Sequence, residues 1–173
     1  CVGGITGLCE GTLDRCSNAA AITKTCSNNV DADVGGLAGR VTDAIELSAS
    51  SNSGTVSAVG ISSHTSNVRL GGLIGQTVRQ VWIQDCSNSG NVFGNGGEVS
   101  LVGGLIAYSV KNVRIERGTN TGNIDKGYVS GGLIGRCNDM AMITDCINSG
   151  NVSSSYNGGG LAGVLSKMEL HGC

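Results

Sequence analysis

The sequence predicts an all-β protein, a β-solenoid of about six coils with three short strands in each, and three observations predict it. A glycine pair followed by aliphatic residues recurs along the chain, an Asn recurs at a fixed distance after that pair, and the residues between the two alternate apolar with polar. The glycine motif is Gly71-Gly72-Leu73-Ile74-Gly75 and Gly131-Gly132-Leu133-Ile134-Gly135, with variants opening at Gly3, Gly35, Gly103 and Gly159. The starts lie 32, 36, 32, 28 and 28 residues apart, a spacing that belongs to repeat arrays and makes residues 1–173 one solenoid domain.

The first strand of each coil is placed at the glycine motif itself. The second is the alternating segment: Ile45-Glu46-Leu47, Val81-Trp82-Ile83, Val113-Arg114-Ile115 and Ala141-Met142-Ile143 have period two, not the 3.6 of a helix. Seventeen residues after the glycine pair come Asn52, Asn88, Asn120 and Asn148, each followed by Ser-Gly or Thr-Gly and then by Val56, Val92, Ile124 or Val152, the third strand. In the first coil Asn18 with Ile22 fits this pattern better than Asn28. From the Val or Ile to the next glycine pair the step is 15, 11, 7 or 7 residues, so length variation falls at one loop-bearing corner. No run free of Gly and Asn exceeds twelve residues, which leaves little room for helical repeats.

Stacking at roughly 4.8 Å explains the residue choices. Ile5, Leu37, Leu73, Leu105, Leu133 and Leu161 form one aliphatic column; Val56, Val92, Ile124 and Val152 form another; Ile45, Val81, Val113 and Ala141, with Leu47, Ile83, Ile115 and Ile143, form a third. These columns are expected to fill one narrow three-sided interior, which suits an aromatic content of only 3%. The recurrent Asn reads as a structural ladder, each amide bonding turn backbone and the same Asn one coil away. The glycines read as corner residues, needed for positive φ or for close backbone packing.

A net charge of −2 with scattered Lys and Arg leaves no footprint for nucleic acid, and no apolar stretch is long enough to span a bilayer as a helix. Eight cysteines without Cys-x-x-Cys point to disulfides and an extracellular or cell-surface location. Cys9 and Cys137 both follow their glycine pair by six residues, and Cys16 and Cys146 follow theirs by thirteen and fifteen. Bridges Cys9–Cys16 and Cys137–Cys146 are therefore expected, each contributing about 2 to 3 kcal/mol. Cys1 and Cys173 stand at opposite ends of the rod; a head-to-tail bond between subunits and a bond to a neighbouring coil, such as Cys173 to Cys146, are both open. The spacing leaves Cys26 and Cys86 unassigned.

The combination of Gly-Gly-Leu-Ile-Gly, a strand, and Asp-Cys-Ser-Asn-Ser-Gly-Asn-Val (Asp85 to Val92) or Asp-Cys-Ile-Asn-Ser-Gly-Asn-Val (Asp145 to Val152) resembles the GLUG repeat. That repeat occurs in extracellular adhesins, large secreted surface proteins and the stalks of some surface-anchored immunoglobulin A proteases. The resemblance covers nearly the whole chain and implies a surface-exposed solenoid, right-handed, without catalysis of its own.

Catalytic signatures do not accumulate. Gly158-x-Gly160-x-x-Gly163 spells a dinucleotide fingerprint but is the local copy of the repeat, with no βαβ unit around it. His64 and His171 are read as solvated; Asp14, Asp85 and Asp145, which precede cysteines at similar coil positions, as solvent-facing turn residues. Trp82 and Tyr108 are expected to be exposed, and the aromatics are too dispersed to predict a sugar platform. No catalytic, cofactor-binding or metal-ligating residue is assigned, and no cofactor. The expectation is a non-enzymatic subunit of an extracellular filament or adhesin stalk, assembling through open solenoid ends. Its partners would be copies of itself head to tail or adjoining repeats of a longer chain, with host or matrix glycans and proteins as further candidates. The alternative is a polysaccharide-binding or polysaccharide-cleaving β-helix.

Overall fold

The computed structural model describes residues 1–26, 31–59, 67–94 and 100–173. Among these, all regular structure is strand, and the strands stack in parallel into three sheets that run the length of a solenoid of about five turns. The glycine frame is the structural frame. Gly3 pairs with Gly35, Gly35 with Gly71, Gly71 with Gly103, Gly103 with Gly131 and Gly131 with Gly159. Val81 likewise stands between Ile45 and Val113, and Val56 between Ile22 and Val92. The sixth motif carries an incomplete last coil, Gly159 to Cys173.

Each of the first four coils has five strands, more pieces than the three expected. The second coil runs Ala32–Gly35, Ala38–Val41, Ile45–Ser48, Ser51–Asn52 and Val56–Val59. The glycine motif is a corner between two strands and not a strand. Its first glycine ends one strand and the next begins three residues later. The turn is so tight that a Cβ on Gly35 would lie 2.0 Å from the Ala38 carbonyl oxygen. Close approach, not positive φ, demands glycine here. Where the return step is only seven residues, its flanking strands fuse into Ile124–Gly131 and Val152–Gly159, and the strands that follow fuse into Ile134–Thr144 and Ala162–His171.

A second corner ends the alternating strand. Arg15, Ala49, Asp85, Arg117 and Asp145 have φ between 44° and 53°, and Gly172 reaches 63°, so every turn, the last included, bends in the left-handed conformation at the same point. Such a φ is uncommon for residues with a Cβ. Its repetition shows the stack imposing it: the N–H of each of these residues except Gly172 donates to a carbonyl of the next coil, as in Asp85 to Glu116 and Asp145 to His171.

The interior is two cores, not one three-sided one. Leu37, Leu73, Leu105 and Leu133 pack with Ile45, Val81, Val113 and the Leu47 to Ile143 column in one cluster. The Val56, Val92 and Ile124 column packs with Val34, Leu70 and Val102 in a second. Between the two lies a waist where the chain crosses twice, once at the glycine pair and once at the Asn. A Cβ on Gly36 would be 2.3 Å from Asn52 Cγ, and Gly72, Gly104 and Gly132 meet Asn88, Asn120 and Asn148 in the same way. The second glycine of each pair is thus the seat of the Asn side chain. Burial of one such leucine contributes about 1.5 to 3 kcal/mol, and Leu73, Leu105 and Leu133 are fully buried. Ile5 is in register with Leu37 but half exposed, because its coil has no neighbour on the outer side.

Candidate functional site

What this chain builds repeatedly is a surface for the next coil, and the Asn ladder is its polar centre. Asn18 Nδ2 donates to Asn52 Oδ1 at 2.8 Å, Asn52 to Asn88 at 2.9 Å, Asn88 to Asn120 at 2.8 Å and Asn120 to Asn148 at 2.8 Å. Each Nδ2 also donates to the carbonyl two residues on, such as Gly90 for Asn88 and Gly150 for Asn148. Both amide hydrogens are used, and the bonds all run in one direction along the axis. Asn52, Asn88 and Asn120 are at most 1% exposed, so each rung strengthens in a site without competing water. The ladder was legible in the sequence, including the choice of Asn18; Asn28 lies outside the described residues.

A second ladder, on the exposed side, was not anticipated. Asn123 N–H donates to Asn91 Oδ1 and Asn151 N–H to Asn123 Oδ1. Its signal was present as the second Asn of each Asn-x-Gly-Asn.

Cysteines are the largest departure from expectation. All eight thiols are free, so Cys9–Cys16 and Cys137–Cys146 are not bridges. The positions do recur. Cys9, Val41, Thr77, Ser109, Cys137 and Leu165 form one column, while Cys16, Ser50, Cys86, Gly118, Cys146 and Cys173 form another just past the left-handed corner. Within a coil, however, the two columns stand at opposite ends of a strand such as Ala141 to Thr144. Four extended residues span about 13 Å, beyond the roughly 7 Å limit for the Cα atoms of a bridge. The buried thiols donate to carbonyls instead, Cys86 to Gln84 and Cys146 to Thr144, both at 3.1 Å. Burial pushes Cys86 and Cys146 up to about 11 and raises Cys137 and Cys26 as well. Cys1 is exposed on the first coil, its Sγ 3.7 Å from Asp33 Oδ2, and Cys173 is exposed on the last.

The acidic residues do not form one column. Asp14 stacks on Ser48, which donates to it at 2.8 Å, whereas Asp85 and Asp145 share the corner column with Arg117 between them. Arg117 Nε and Nη2 donate to the two Asp85 oxygens at 2.6 and 2.9 Å, and these bonds hold the Asp85 carboxyl below the usual range. His64 lies outside the described residues. His171 is exposed in the last strand, its carbonyl accepting from Asp145 N–H.

One buried charge cluster escaped the sequence reading. Asp33, 2% exposed, accepts from Arg69 Nη1 at 2.8 Å and pairs with Arg40 Nε at 2.8 Å; Arg69 also reaches Asp31 at 3.3 Å, and Arg40 Nη2 donates to Gln76 at 2.7 Å. Burial works against the Asp31 carboxylate, but bonds from Asn67 and the charge of Arg69 outweigh it and lower its pKa. Asp33 and Arg69 are register partners on adjacent coils, so this charge pair also serves stacking. The aromatics behave alike. Trp82 and Tyr108, expected on the surface, are half-buried beneath the guanidinium groups of Arg114 at 5.0 Å and Arg69 at 5.5 Å. Tyr128 and Tyr156, one coil apart, stack with ring centroids 4.8 Å apart. Among the described residues no group of three or more His, Cys, Asp or Glu side chains is arranged to hold a metal.

Comparison with family models, curated proteins and solved structures returns no match. The reading of function therefore rests on geometry. At the last coil that geometry is left open: Asn148 has one amide hydrogen bonded to Gly150 and no further rung for the other, and Leu161, Ala162, Leu165, Met168 and Leu170 line an apolar groove.

Proposed function

We propose that this chain is a non-enzymatic structural module, a rod segment of an extracellular stalk or filament. It extends by stacking further coils on its open faces, taken either from adjoining repeats or from a second copy head to tail. The observation that carries the reading is the one-way Asn ladder. Its last rung offers an N–H at Asn148, while its first presents Oδ1 of Asn18, held by Ala20 N–H at 3.2 Å. The two faces are complementary to each other and not to themselves, so the favoured contact is heterologous and propagates without closing. Hydrogen bonds, leucine columns, charge pairs and stacked rings all point along the axis, and stability in such a stack comes from nearest neighbours. The resemblance to the GLUG repeat supports a surface setting, since that repeat occurs in extracellular adhesins and in the stalks of some surface-anchored proteases.

Electron microscopy of the isolated chain across a concentration series tests this. Rods that lengthen with concentration, in steps of about 25 Å for five coils, are the expected result. A chain that stays monomeric throughout removes the second-copy contact and leaves only adjoining repeats to extend the rod, and release of unsaturated sugars from a polyuronate overturns the proposal in favour of a lyase.

A further inference from the structure

Of the eight cysteines, two occupy neighbouring rungs of one column. Cys16 and Cys86 both face Ser50, and Cys86 faces Gly118 on its other side, whereas Cys146 is followed directly by Cys173. After a register shift between Cys137 and Met140, the last strand pair runs in unbroken register from Met140 and Lys167 to Thr144 and His171, two residues before each cysteine. Both strands then make the same left-handed corner, at Asp145 (φ 52°) and Gly172 (φ 63°). As a result Cys146 N–H lies 3.4 Å from Cys173 Sγ across 27 residues of sequence. Rungs of a parallel stack are spaced roughly 4.8 Å, inside the Cα window of about 4.4 to 6.8 Å for a disulfide. We propose that Cys146 and Cys173 are a thiol pair that closes to a disulfide on exposure to a low-molecular-weight disulfide, stapling the last coil to the stack.

The exposed Cys173 thiolate attacks one sulfur of the oxidant RSSR, forming a mixed disulfide and expelling RS⁻, which takes up the proton lost by Cys173. The Cys146 thiol then loses its proton to solvent and attacks the Cys173 sulfur. The second RS⁻ departs and is protonated, so two protein thiols and RSSR become one protein disulfide and two RSH. Burial pushes the Cys146 thiol up to about 11, which makes the second step the slow one; its rate rises about tenfold per pH unit below that value.

The test is oxidation of the 173-residue chain with oxidised glutathione, followed by proteolysis and mass spectrometry without reductant and by amide hydrogen exchange. One peptide pair joined at Cys146–Cys173 is expected, with exchange across Ala162–His171 slowed at least tenfold and both effects reversed by dithiothreitol. Cys173→Ser, at an exposed terminal position, is expected to keep the circular dichroism spectrum and lose both. Glutathione retained on Cys173 with a free Cys146, a bond from Cys173 to Cys1 of another copy, or a Cys146–Cys173 bond that leaves exchange unchanged would each overturn the proposal.

Discussion

The fourth and the sixth coil carry the same glycine motif and experience opposite environments. Leu105 and Leu161 are register equivalents through Leu133, yet Leu105 is fully buried while Leu161 is only partly so. A Cβ on Gly104 would sit 1.9 Å from the Gly132 carbonyl oxygen and 2.6 Å from the Asn120 side chain; at Gly160 it would meet nothing within 4 Å. Burial in this molecule is therefore a property of the interface between coils, not of a residue type, as nearest-neighbour energetics require.

The sharpest way to break the comparison is at those glycines. Gly104→Ala must displace backbone, and the expected loss is about 4 kcal/mol or more. Gly160→Ala is expected to fall within about 0.5 kcal/mol of the parent. Denaturant midpoints compare the two, and equal losses would show that the glycine acts through its own conformation and not through the neighbour. Leu105→Ala against Leu161→Ala follows. A cavity in the closed core costs about 2 to 5 kcal/mol, and the partly covered site roughly 1 kcal/mol. Asn88→Ala leaves the Gly90 carbonyl, the Asn52 amide hydrogen and the Asn120 oxygen without partners in a dry waist, and is expected to cost about 2 to 4 kcal/mol. Asn148→Ala, half-buried at the last rung of the ladder, leaves the Asn120 amide hydrogen and the Gly150 carbonyl unpaired but near solvent and should cost about 1 to 2 kcal/mol. If end-on assembly occurs, the gap between Asn88 and Asn148 narrows with protein concentration, because a second copy covers the outer rung.

How much of this was legible in the sequence follows the same division. Period, register, columns and ladder were readable because they repeat along the chain, and a fixed offset from Gly71 to Asn88 or from Gly131 to Asn148 is visible without coordinates. The two cores were not. Alternation in Val81-Trp82-Ile83 says which side chains point inward but not which strand they meet, and only the crossing of Gly36 with Asn52 divides the interior. The glycine motif was misread as a strand because its leucine is apolar and buried, features a tight corner shares. The disulfides failed for a related reason. Spacing within a coil was taken as proximity, whereas in a solenoid proximity comes one coil later, at 27 to 36 residues. By that rule Asp33 and Arg69, 36 apart, announce their ion pair, and Cys146 and Cys173, 27 apart, their alignment.

The smallest expected effect lies at the left-handed corner, where Asp85 has Arg117 on the next rung and Asp145 has Gly172. The two guanidinium bonds favour the ionised Asp85, so its folded pKa is below its unfolded value of about 3.9. The sign follows from linkage. The stabilisation is complete above the unfolded pKa and is lost as pH falls through the folded one, so it belongs to the acid side of the stability curve and vanishes below it. Because the pair is solvent-exposed, its worth at neutral pH is expected to be near the limit of detection and to disappear in molar salt. Replacing Arg117 with Gln should raise the Asp85 carboxyl in a ¹³C-detected titration while leaving the Asn88 to Asn120 bond intact. An unchanged titration would mean that the charge of Arg117 does not reach Asp85, and that even at this corner the coils are held together by backbone and amide bonds alone.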